Sequence, residues 1–140
     1  MMLRAGIIFC VLVVAGCDVV TNRYDSIAEA RRDRLFERGW LPDILPASAG
    51  RILVSNDLDI NTSEGEFFFA PDDFSSFQAR LSSDVPTRTP FADWAGFVSR
   101  HAAKDYSARA FSGNGSTWVF LCHGGIGHCV YRMWLVGSAD

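Results

Sequence analysis

The chain has 140 residues, a formal charge of −3 and 49% hydrophobic residues, with eleven Phe and four Trp among them. That is one-domain size, with ample apolar side chains for a core. The mildly acidic balance lacks the basic excess that nucleic-acid binding selects.

The chain opens MMLRAGIIFCVLVVAGC, in which Arg4 precedes an apolar run from Ala5 to Val14 and two small residues precede Cys17. A basic start, an apolar stretch of ~7–15 residues and a small-residue cleavage site make a secretory signal peptide. The run is shorter than the ~20 residues a membrane span needs. Val14-Ala15-Gly16-Cys17 resembles the lipobox of bacterial lipoproteins. The resemblance implies that residues 1–16 are removed and that Cys17 is acylated and heads the mature chain. It also implies a lipid-anchored protein on the periplasmic side of the cell envelope, with the membrane as its first partner. Asp18 resembles the signal for retention at the inner membrane, which favours that membrane over the outer one.

Residues 17–24 read as a lipidated tether and residues 25–140 as a single α+β domain. Ser26-Ile-Ala-Glu29 matches a capping box and predicts a helix from Ser26 to Arg38, with Gly39 as its stop. Arg31, Arg34 and Arg38 share a face of it. They face either anionic headgroups or, as the more ordinary reading, solvent, balanced by Asp33 and Glu37. The two prolines of Trp40–Pro46 exclude helix there, so this apolar stretch is expected to run extended across the core. Arg51–Ser55 and Glu66–Ala70 are short strands. Pro71, with Asp72 and Asp73, starts a second helix carrying Phe74, Phe77 and Leu81. Thr89-Pro90 caps a third, with Phe91, Trp94, Ala95 and Val98 as its apolar stripe. Tyr106–Phe111, Thr117–His123 and His128–Val136 are aromatic and β-branched strands joined at glycine-rich turns. They predict a C-terminal three-stranded antiparallel meander, with about three helices packed on one face of the sheet.

Two stretches are candidates for chemistry. The first is CHGGIGHC, Cys122 to Cys129. As a hairpin with a four-residue loop it opposes Cys122 to Cys129 and His123 to His128, and strand alternation puts the two pairs on opposite faces. That geometry argues against a tetrahedral four-ligand zinc site, whose ligands would point to opposite sides of the sheet. An oxidising compartment favours a Cys122–Cys129 disulfide over two free thiols or a metal. Trp118, Phe120, Tyr131 and Met133 fall on the cysteine face. His123 and His128 remain either a two-ligand metal pair or plain turn residues.

The second is Asp57-x-Asp59-x-Asn61, spaced like the start of a calcium loop. Thr62 stands where such a loop has Gly and Phe68 where it has Glu, so an acidic turn is the simpler reading. The sequence carries no nucleophile elbow and no phosphate-binding glycine loop ahead of a helix. No cofactor is expected. Phe36-Glu-Arg-Gly-Trp40-Leu-Pro and Val54-Ser-Asn-Asp-Leu-Asp59 resemble small bacterial lipoproteins of no assigned activity. The expectation is a non-enzymatic, lipid-anchored module that binds a protein or envelope component. A metal- or small-ligand-sensing module stands second and an envelope hydrolase third.

Overall fold

The computed structural model describes residues 18–138. The signal segment and Cys17 lie outside the described residues. Six strands form one antiparallel sheet: β1 (Val19–Ser26), β2 (Gly50–Asp57), β3 (Thr62–Phe68), β4 (Ser107–Gly113), β5 (Ser116–His123) and β6 (His128–Leu135). Their order across the sheet is β1-β2-β3-β6-β5-β4. Two meanders thus meet where β3 pairs with β6, from Ser63 opposite Met133 to Phe68 opposite His128.

β1 corrects the expectation of a tether over residues 17–24. Its residues run from Val19 opposite Asp57 to Ser26 opposite Gly50, so they belong to the sheet of the domain. The strand is polar and exposed over most of its length, and only Tyr24 is buried. An edge strand with one free side needs little apolar content, which hides it from a search for alternation.

The first helix also ends sooner than its pattern suggests. α1 spans Ile27–Arg32, with Ser26 Oγ accepting from the Glu29 amide at 3.3 Å, while Glu29 accepts from the Asp25 amide at 2.6 Å, one residue before the cap amide that a full capping box engages. Arg34 then turns into the left-handed region at φ 59°, and the amides of Arg34 and Leu35 donate to Arg31 and Ala30. This is a Schellman stop, with Arg where Gly is usual. It lets Leu35 drop fully into the core and frees Asp33 to bond the Tyr24 hydroxyl. α2 (Phe74–Gln78) follows a 3₁₀ turn at Pro71–Asp73, and α3 (Trp94–Ala102) begins three residues later than its first apolar residue, Phe91.

Packing divides the molecule by sheet face. On the cysteine face, Trp118, Phe120, Tyr131 and Met133 join Ile52, Val54, Phe67 and Phe77 under α1, α2 and the Trp40–Pro46 stretch. Phe67 and Phe120 meet Phe77 edge-on at 6.0 and 5.4 Å, and each such buried ring contributes about 1.5–3 kcal/mol. On the other face, Trp94 of α3 packs on Ala110, Val119, Leu121 and Trp134. The helices therefore occupy both faces, not one. β5 is buried along seven of its eight residues because both sides of it are covered.

Cys122 and Cys129 stand opposite one another with Cα atoms 4.1 Å apart and sulfurs at bonding distance, 2.07 Å. That is the closer of the two pair types in an antiparallel ladder. Gly127, at φ 66°, accepts from the Phe69 amide at 2.9 Å, and a side chain there would strike the Phe69 carbonyl. A side chain at Gly124 would strike the Phe74 ring. The glycines of the hairpin thus let α2 sit on the turn.

Candidate functional site

The α3 side of β6 presents His128, Val130, Arg132 and Trp134 in succession, the alternation set by the strand. α3 covers β4, β5 and the Trp134 end of β6, and leaves β2 and β3 uncovered beside it. The result is a groove of about 390 Å³ lined by Leu53, Ser55, Glu64, Glu66, Phe97 and Val130. Leu53, Phe97 and Val130 are half-buried, so their apolar surface remains accessible from solvent.

Two polar networks close the groove at its ends. At one, His128 is buried with both ring nitrogens engaged: Nε2 lies 2.8 Å from Glu66 and Nδ1 2.7 Å from the Tyr106 hydroxyl. The neutral tautomer that fits donates from Nε2 to the carboxylate and accepts from the phenol. Burial, and then the charge of Glu66, push the Tyr106 hydroxyl above its ordinary range. Phe68 lies against the imidazole, its ring centre 4.4 Å away and its plane tilted by 37°.

At the other end Arg132 is 8% exposed and wedged between Phe91 and Phe97, whose ring centres lie 4.7 and 3.9 Å from its guanidinium carbon. Its fork meets Asp93 through two bonds of 2.8 and 3.0 Å, and its Nε donates to Glu64 at 3.1 Å. The guanidinium holds the Asp93 carboxyl below the usual carboxylate range. Asp93 immediately precedes α3, so this pair pins the start of the helix to the sheet.

Glu64 and Glu66 are therefore anchored from beneath yet keep side-chain exposures of 53% and 38%. They sit one strand repeat apart, ~7 Å, above an apolar floor. Such an arrangement accepts hydrogen bonds from a cationic or amide-bearing group while the floor takes an apolar one.

The residues singled out in the sequence fall as follows. Cys122 and Cys129 face the core opposite the histidines. His123 and His128 oppose one another across the hairpin, but Tyr106 stands edge-on to both rings, at 5.6 and 5.7 Å. His123 Nδ1 accepts from the Ile126 amide at 3.3 Å, within the turn. His123 is thus the plain turn residue of the two alternatives, whereas His128 is buried and held by Glu66 and Tyr106. Asp57 Oδ1 accepts from the amides of Asp59 and Ile60, and Asn61 adopts φ 53°, so the Asp57–Asn61 stretch is a hydrogen-bonded turn between β2 and β3. Among the described residues no group of three or more His, Cys, Asp or Glu side chains is arranged to hold a metal ion. Arg31, Arg34 and Arg38 pair with Asp43, Glu37 and Asp33 on the surface. Sequence reasoning missed Glu66 and Tyr106 as partners of His128, and Asp93 as the partner of Arg132.

A family model for the YbbD head domain matches residues 18–68. The matched stretch begins just before β1 and ends with β3, the first of the two meanders. No curated protein and no solved structure matched.

Proposed function

We propose that this chain is a lipid-anchored envelope protein, held at the membrane through Cys17, whose domain is a non-enzymatic binding module. In this reading the groove beside α3 takes an extended segment of a protein or envelope partner. The observation that carries it is the pair of half-exposed carboxylates, Glu64 and Glu66, set over the apolar surfaces of Leu53, Val130 and Phe97. A segment alternating basic and apolar residues complements it in charge and period.

Panning a library of extended peptides tests the groove. Enriched sequences should alternate basic and apolar residues and should lose binding about tenfold on Leu53→Asp, a loss of roughly 1.4 kcal/mol. Peptides that bind Leu53→Asp as well as the wild type sink the reading. The anchor is tested by mass spectrometry of the membrane-bound protein, which should carry acyl groups on Cys17 that Cys17→Ser lacks; an unmodified Cys17 rejects acylation.

The second reading, a metal- or ligand-sensing module, rests on Asp57, Asp59, Asn61, His123 and His128. It has less support, since the Asp57 carboxylate closes its own turn and both nitrogens of His128 are engaged. Micromolar binding of calcium, zinc or copper by calorimetry, lost in Asp57→Ala or His123→Ala, would reverse this order.

A further inference from the structure

One end of the sheet is apolar where the other is not. β1 starts there, β2 turns into β3 there, and β6 ends there, since Val19 pairs with Asp57, Asp57 with Thr62, and Ser63 with Met133. Val19, Val20, Leu58, Ile60, Leu135 and Val136 are all at least 40% exposed at this end. Among the described residues the one other large apolar side chain so exposed is Ile126, in the β5–β6 turn at the opposite end. Scattered exposed apolar residues are ordinary, but six gathered at one end mark an interaction surface.

The place where the chain enters says what covers it. The Asp18 carbonyl accepts from the Leu58 amide at 3.0 Å, so the start of β1 is tied to the β2–β3 turn. Only Asp18 separates Cys17 from Val19, and two Cα steps reach at most about 7 Å. The headgroup layer on one side of a bilayer is about 5–7 Å thick. An acylated Cys17 therefore cannot hold the domain clear of the lipid. Its acyl chains enter the bilayer beside the six apolar side chains.

We infer that this apolar end of the sheet is seated in the headgroup and upper acyl region of the bilayer. It is a second membrane contact that fixes the domain upright on its anchor. The inference rests on the acylation of Cys17 proposed above. Asp18, Asp57 and Asp59 lie at the same end, so the contact is made by apolar side chains, and anionic lipid weakens it. With strands standing away from the membrane, the groove beside α3 opens sideways, parallel to the surface.

The test uses the acylated protein in phosphatidylcholine vesicles, with a polarity-sensitive fluorophore on Ile60→Cys, Val136→Cys or, at the far end, Ile126→Cys. Quenching by aqueous iodide should be about threefold weaker or less at positions 60 and 136 than at 126, since the first two leave water for the headgroup region. Equal quenching at all three positions in vesicle-bound protein overturns the seated end and leaves the anchor standing. If unacylated Cys17→Ser protein stays vesicle-bound with 60 and 136 protected, the seated end stands without the anchor. If it leaves the vesicles and the acylated protein leaves with it, both fail. Protection that disappears on dilution to about one protein per vesicle assigns the surface to a second copy and overturns the inference.

Discussion

Glu66 lies 2.8 Å from the Nε2 of His128, although 62 residues separate them in the chain. The contact exists because β3 and β6 are neighbours, and it makes His128 a tie between two meanders instead of a free imidazole. Tyr106 completes the tie from β4's side, across the other ring nitrogen. Tyr106→Phe removes the one donor to Nδ1 while keeping the ring, and leaves a buried acceptor without a partner. Stability should fall by about 1–2 kcal/mol, read as a shift in the urea midpoint at unchanged slope.

Arg132→Lys tests the second network. Lysine keeps the charge but loses the fork on Asp93, the bond to Glu64 and the flat contact with Phe91 and Phe97. A loss of about 1.5–3 kcal/mol is expected in chemical denaturation. A loss within experimental error would show that α3 is held by Trp94 and the apolar cluster alone.

Asp93 gives the pH dependence. Its folded carboxyl titrates below its ordinary value of 3.8 because Arg132 holds the charged form. The unfolded chain therefore takes up this proton first as pH falls. The stabilisation is complete above the ordinary value and is lost as pH drops through the lowered one. The stability difference between wild type and Asp93→Asn should stay constant from neutral pH down to about 4 and shrink below it. A difference that instead changes between pH 5 and 8 would contradict the assignment.

Arg34 occupies the left-handed position that ends α1, where a side chain costs about 1–2 kcal/mol. Arg34→Gly relieves it, at the cost of a more flexible unfolded chain and the exposed pair with Glu37. The net expectation is a gain of about 0.5 kcal/mol, whereas Arg34→Ala gains nothing. Thermal denaturation of the two variants side by side reads the contrast.

What the sequence made legible were the features fixed by neighbours along the chain. The hairpin at Cys122–Cys129, its separation of sulfurs from imidazoles, the Ser26 helix cap and four of the six strands follow from local period and turn chemistry, whereas β3 begins at Thr62, four residues before the expected Glu66. β1 escaped because VVTNRYDS alternates weakly and lies on an edge, where burial does not demand apolar residues. The early end of α1 escaped because Arg34 carries no left-handed signal. Both polar networks escaped for a different reason. Glu66–His128 and Asp93–Arg132 depend on which strands become neighbours, and nothing in either segment names its partner.

The same pairing of β3 with β6 governs when the protein becomes a folded object. Val19–Phe68 builds three strands early, but the inner side of β3 finds its neighbour only in His128–Leu135, after α3 and two further strands have been made. A nascent chain shorter than this keeps an open strand edge and half a core, whatever its first half has done. Sheet closure therefore waits until His128–Leu135 has been made, and the first meander cannot complete its pairing before then.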